Sequence, residues 1–276
     1  MDLVTPFLAG AAGALVKQLA DKGIEWLIQL VGSHSPAVQA QAQTNLQNFL
    51  YRLARRVEQL EAELPKEQRG VFEDALSHPS SSLLMQKAII SAAATENDDR
   101  HTILSELIAQ RLTAGADDMI ALVGAASCDV VNALSSRHIR LLGLIARLFS
   151  IRPLHPPEIT DQNQYDQYVT SWWGPLGELC RGLEDTNNLD IQHLVGLSCI
   201  SVSIGSKDLT ALLTLRIKPV EMKPTMTQFE ALLWWPNFRK VWDMGLGHAT
   251  PTSVGTLIGI LYHDSHLRSR TQIDWK

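Results

Sequence analysis

The sequence has 276 residues and a formal net charge of −5, with 45% hydrophobic and 19% charged residues. A chain of this length can form one large domain or two ordinary ones, and it is too apolar for a disordered protein. The acidic balance gives no general attraction to nucleic acid, so such binding would need a local basic patch.

The three cysteines, Cys128, Cys180 and Cys199, are far apart and form no CxxC pair. An odd number of separated cysteines is typical of a reducing cytosol. No stretch reaches the roughly 18 to 20 apolar residues of a membrane-spanning helix. The start Met1-Asp2 lacks the basic region of a signal peptide. We therefore expect a cytoplasmic protein, with membrane association as the alternative.

Residues 6–31 are predicted to form one helix or a broken pair, with Thr5 as a cap and Pro6 at the first helical position. Small residues recur in this segment at intervals of three and four, which lets helices approach closely. A helix with mixed apolar and charged residues can also lie on a bilayer. Its polar stripe is not basic, so contact within the protein or between protomers is favoured over membrane contact. The predicted contact residues are Phe7, Gly10, Gly13 and Trp26.

A series of helices follows the turn at residues 32–36. Apolar residues recur at helical spacing, and polar breaks with acidic first turns separate the segments. The predicted helices cover residues 37–64, 66–76, 83–90, 103–112, 119–134 and 136–150. This pattern predicts a helical bundle over residues 33–150.

The helix predicted over 136–150 carries a basic stripe of Arg137, Arg140 and Arg147, which fall within about 80° of one another. No acidic residue occurs between Asp129 and Glu158. The favoured interpretation is a solvated face whose arginines pair with carboxylates of Asp98, Asp99, Asp117 or Asp118. The other is a surface that binds phosphate or an acidic partner, since arginine forks match such oxygens.

The composition changes after Ile151, where Arg152-Pro153 cannot continue a helix. Residues 151–176 are predicted to be a proline- and aromatic-rich linker. Beyond it, a strand at 199–204 lies between helices at 189–197 and 206–215, and a helix at 253–262 closes the chain. The predicted fold is therefore mostly α, with an N-terminal helix (1–32), a multi-helix bundle (33–150), the linker (151–176) and a small α+β, winged-helix-like module (177–276).

Two segments of that module carry a family resemblance. Residues 194–200 read Leu-Val-Gly-Leu-Ser-Cys-Ile and residues 250–258 read Thr-Pro-Thr-Ser-Val-Gly-Thr-Leu-Ile. They resemble the carboxy-terminal part of abortive-infection alpha (Abi-alpha) proteins, in which a helix ending in Gly leads into a strand and Leu-Thr-x-x-Gly opens the last helix. The chain departs from that motif at Ala249, where Leu is usual. The helical segment from His78 to Leu141 resembles uncharacterised bacterial proteins. The resemblance implies a bacterial antiphage protein and supplies no catalytic residues.

Motifs for chemistry are weak. His263 and His266 are spaced as zinc ligands on a helix can be, but no second ligand pair accompanies them. Residues 245–248, Gly-Leu-Gly-His, lack the Lys-Ser/Thr of a phosphate loop, and no Gly-x-Ser-x-Gly elbow occurs. We therefore expect no catalytic residue, metal or cofactor.

The sequence predicts a non-catalytic antiphage protein of the abortive-infection type that acts through protein association, oligomerisation or membrane contact. The expected partner is a second copy of the chain or a companion protein. The alternative is a winged-helix regulator that binds nucleic acid. From Leu176 onward the chain has ten basic and ten acidic residues, which disfavours that alternative.

Overall fold

The computed structural model describes residues 21–29, 31–63, 78–113, 119–153, 158–213, 226–269 and 271. These residues are mostly helical, with a small two-stranded antiparallel sheet toward the carboxy terminus. This confirms the predicted mostly α fold with a small α+β module. The chain divides into two compact units, Met1–Ser136 with Asp274–Lys276 and Arg137–Ile273.

The described part of the first unit begins with a helical stretch at residues 21–29. The helices that follow are α1 (Pro36–Glu63), α2 (Pro79–Ala93), α3 (Asp98–Thr113) and α4 (Met119–Val131). They match four of the predicted helices. The predictions for residues 6–20 and 66–76 lie outside the described residues.

Local capping explains where two of these helices begin. At α2, Pro79 occupies the first turn, and the Nδ1 of His78 accepts a hydrogen bond from the backbone N–H of Ser80 at 3.4 Å. At α3, the side-chain oxygen of Asn97 accepts from the N–H of Asp99 at 3.0 Å. These side chains satisfy N–H groups that have no partner inside the helix.

The core of the first unit lies where α1 packs against α2 and α3. Phe49 and Leu53 of α1 are fully buried, as are Leu104 and Ile108 of α3. The spacing of four within each pair places both residues on one helix face. Burying each such side chain contributes about 1.5–3 kcal/mol, so these faces hold the helices together.

The second unit combines helices with the small sheet. Its longer elements are α5 (Ser136–Phe149), α6 (Gln162–Trp173), α8 (Asn188–Gly196), α11 (Trp235–Asp243) and α12 (Ser253–Leu267). Its short elements are α7 (Leu176–Cys180), β1 (Ile200–Val202), α9 (Leu209–Leu213), α10 (Met226–Glu230), a 3₁₀ turn (Leu246–His248) and β2 (Ala249–Pro251).

The segment predicted to be a linker contains α6. Asp161 caps this helix by accepting from the N–H of Gln164 at 2.9 Å. Tyr165, Val169 and Trp173 are buried, and the indole N–H of Trp173 donates to the carbonyl of Leu213 at 3.0 Å. Tyr165 and Trp173 of this segment are therefore part of the core of the second unit.

The sheet joins β1 to β2 with Ser201 opposite Thr250. Immediately after β2, Thr252 caps α12 by accepting from the N–H of Gly255 at 3.2 Å. The same hydroxyl donates to the carbonyl of Ser198 at 2.7 Å. The start of α12 is thus tied to the turn that enters β1.

Candidate functional site

The three arginines of the predicted basic stripe lie on α5 in different surroundings. Arg137 donates to the carbonyl of Asp185 at 3.0 Å and pairs with the carboxylate of Asp190 at 3.5 Å. Arg140 donates to the carbonyl of Arg181 at 3.3 Å. Arg147 is only 6% exposed. Two of the arginines therefore bind the segment before α8, while the third lies inside the unit.

Asp190 is the carboxylate that meets this stripe. It lies in the first turn of α8, where its Oδ2 accepts from the N–H of Asn187 at 2.8 Å and completes a capping box. Its Oδ1 is 3.0 Å from the Nε2 of His138. Because its side chain is buried, these donors replace the water that a carboxylate needs. Asp190 thereby connects α8 to the start of α5.

His138 also stacks on His193 of α8, with ring centroids 4.6 Å apart. Burial of His138 is the main cause that lowers its pKa, and the neighbouring His193 lowers it further. Asp190 acts in the opposite direction. The neutral form of His138 is therefore favoured. Sequence spacing does not predict this cluster.

Arg147 lies in the last turn of α5, against α6. Its Cζ is 3.9 Å from the centroid of the Trp172 ring, and one of its terminal nitrogens donates to the carbonyl of Trp172. Burial lowers the pKa of Arg147 to about 10, so the guanidinium still carries its charge at neutral pH. The cation–π contact and the carbonyl partly compensate for the loss of hydration.

An apolar groove, called here the α8–β1 groove, opens beside the small sheet. Its volume is about 360 Å³. Val195 and Val202 are 39% and 54% exposed in it, although both are large apolar side chains. The residues around it are Asn188, Ile191, Gln192, Val195, Val202, Met244, Gly245 and His248.

A second cavity of about 390 Å³ is lined mainly by polar groups at α7 and the turn before α11. Arg181 pairs with Glu178 at 3.0 Å, and the amide of Asn237 donates to Glu184 at 3.3 Å. These polar groups are therefore engaged with one another. Leu233, on the rim of this cavity, is fully exposed.

The histidines considered as zinc ligands lie near the end of α12. His263 is buried and its Nδ1 is 2.9 Å from Asp264, while His266 stacks on Tyr262. In the part of the chain that the structure describes, no group of three or more His, Cys, Asp or Glu is placed to hold a metal.

Three of the predicted contact residues of the first helix, Phe7, Gly10 and Gly13, lie outside the described residues. Trp26 is described and half-buried, and nearby Gly23 approaches Ile89 and Leu46. Among the described residues, no helix combines the length and apolar character needed to cross a bilayer.

A family model matches residues 16–220, which is most of the chain, and its description names no activity, substrate or partner. No curated protein and no solved structure matches the sequence.

Proposed function

We propose that this chain, which belongs to the uncharacterised family matched over residues 16–220, acts by protein association in an antiphage response of the abortive-infection type. Its partner is a second copy of the chain or a companion protein, and its role is non-catalytic. The proposal rests on the α8–β1 groove and on the resemblance of the segments beside it to abortive-infection alpha proteins.

The groove supports association because apolar side chains are exposed in it and beside it. Val202 is 54% exposed, and Ile204, two residues further on, is fully exposed. Burying apolar area contributes about 25 cal/mol per Å², so covering these side chains favours a complex. Exposed apolar patches with a polar rim are typical of interaction sites, and the amides of Asn188 and Gln192 supply such a rim.

The position of the groove within the resemblance also supports this role. The segment 194–200 runs from the end of α8 into β1, and the segment 250–258 runs from β2 into α12. Ser201 pairs with Thr250 across the sheet, so the two segments lie side by side. Val195 lies in the first segment, Val202 follows it by two residues, and both line the groove.

The double substitution Val195→Asp with Val202→Asp tests the proposal. Both side chains are partly exposed, so the protein is expected to fold while the charged groove rejects its partner. Sedimentation of the full chain, and recovery of bound proteins from cells challenged with phage, should show loss of the complex. Plaque counts in cells that express the variant should rise to those of cells without the protein.

Leu189→Asp is the matched control. Leu189 is 71% exposed on the same helix but does not line the groove. This variant should keep both the complex and the protection. If the double variant still protects and still forms its complex, the proposed function is wrong. A variant that lacks residues 1–31 measures how much the predicted first helix contributes to the complex, separately from the groove.

A further inference from the structure

Arg147 is a buried cation that meets no carboxylate among the described residues. The ion pairs found there involve other residues. Burial lowers the pKa of Arg147, and Tyr168 raises it. Tyr168 lies one helical turn before Trp172 on α6. A buried charge without a counter-ion is costly, and neither a carbonyl nor an aromatic face carries the full negative charge that would neutralise it.

Two buried donors at this position have no hydrogen-bond partner among the described residues. They are the Nε of Arg147 and the indole Nε1 of Trp172. The Cζ of Arg147 lies 3.9 Å from the centroid of the Trp172 ring, so the two donors belong to side chains in direct contact. A buried donor left unpaired costs about 1–3 kcal/mol, so this pair of donors favours an acceptor between α5 and α6.

The surroundings of Arg147 lead to the surface along α6. Trp172 and Tyr168 are half-buried, so a ligand can approach along α6. The side chains of Ala146, Ile151 and Ile260 form the apolar side of the site.

We propose that Arg147, with the indole N–H of Trp172, binds a carboxylate group. A carboxylate is planar, carries one negative charge and accepts at both oxygens, which matches one guanidinium and one neighbouring N–H. A phosphate monoester carries about −1.5 to −2 charges at pH 7. One arginine would leave part of that charge uncompensated in a buried site. The site is separate from the α8–β1 groove, and the proposal does not depend on the proposed function.

The Nε–H resonance of Arg147 reports the contact directly in the NMR spectrum of the full chain. The resonance is assigned as the one that disappears in Arg147→Lys. Titration with sodium acetate, at constant ionic strength set by sodium chloride, should shift it in a saturable manner. A capped peptide with one Glu between glycines is the second probe. Saturation by acetate indicates a small carboxylic acid, and saturation by the peptide alone indicates an acidic side chain of a partner.

Substitutions separate this site from general ion effects. The probe that binds more tightly should raise the melting temperature of the protein in a saturable manner, and Arg147→Met should abolish this increase. If Arg147→Met does not fold, Arg147→Lys is used in its place. Trp172→Phe keeps the aromatic face and removes the indole N–H, so it should weaken binding several-fold. Arg239→Met is the control, since Arg239 is an exposed arginine of the same unit paired with Asp243 at 2.8 Å.

Three results would overturn the proposal. The first is an Nε–H resonance that moves with neither probe. The second is tighter binding of inorganic phosphate than of acetate and the peptide. The third is an affinity that Trp172→Phe leaves unchanged, because the assigned donors would then be wrong.

Discussion

The imidazole rings of His138 and His193 stack with their planes 27° apart, which brings the first turn of α5 against α8. Asp190 of α8 contacts the Nε2 of His138, and Arg137 pairs with the same carboxylate. The cluster therefore contains one carboxylate, one permanent cation and two imidazoles. Protonation of His138 would add a positive charge next to Arg137.

This cluster predicts that stability falls as the pH is lowered through the ordinary range of histidine. The pKa of folded His138 is lowered by burial and by His193, so the unfolded chain takes up this proton first, near pH 6.5. The free energy of unfolding should decrease below about pH 7 and level off once the folded His138 is protonated. Urea unfolding between pH 7.5 and pH 5 measures this decrease.

His193→Asn tests the cause of that dependence. Without the second imidazole, the pKa of His138 should rise toward its ordinary value, as followed by the NMR titration of its ring protons. His34→Asn, at an exposed histidine, should leave this titration unchanged. An unchanged titration in His193→Asn would show that the stack does not affect His138.

The cysteines are predicted to be unreactive in the folded protein. Burial raises the pKa of Cys128 and Cys180 to about 12 and that of Cys199 to about 11. The thiolate is the reactive form, so at pH 8 an aromatic disulfide reagent should react with none of the three until the chain is unfolded in urea. Rapid reaction of one native thiol would contradict its burial.

Helical periodicity is sufficient to predict α1 to α5, because apolar residues recur in each of them at the spacing of a helix face. The pattern that predicted a helix over 136–150 ends at the same proline that follows α5. Periodicity failed where burial includes polar residues. The closing helix was predicted to end at Tyr262, yet α12 continues to Leu267 because His263 is buried and packs as a core residue.

The environment of individual side chains could not be predicted from spacing alone. Arg147 shares a helix face with Arg137 and Arg140, but its depth depends on α6, which was predicted to be part of a linker. The sequence predicts that the arginines pair with carboxylates of the preceding helices, whereas Asp190 lies 53 residues after Arg137 in the sequence. Contacts of this range depend on the fold, so neither the His138 cluster nor the α8–β1 groove has a local sequence signal.

Asn45 is predicted to be important for the contact between α1 and α2. Its amide donates to the carbonyl of Ala93 at 3.1 Å, and the residue is 5% exposed. Asn45→Ala removes this donor and leaves a carbonyl at the end of α2 without it, so stability should fall by about 1–3 kcal/mol. Thr44→Ala, at the exposed neighbouring position, is the control, and urea denaturation compares the two. Equal stability of both variants would show that this buried hydrogen bond contributes little.

Gly259 is predicted to tolerate no side chain, because it lies where α12 packs closely on α5. A Cβ there would clash with the carbonyl of Leu142 and come within 2.8 Å of the Cβ of Ala146. Gly259→Ala should therefore force α12 away from α5 and destabilise the protein by about 1–3 kcal/mol. At Gly196, the last residue of α8, no neighbouring atom lies within 4 Å of the position that a Cβ would occupy, so Gly196→Ala should be neutral or stabilise by up to about 1 kcal/mol. Thermal unfolding of the two alanine variants distinguishes close helix packing from a general effect of glycine, since a general effect predicts the same change at both positions.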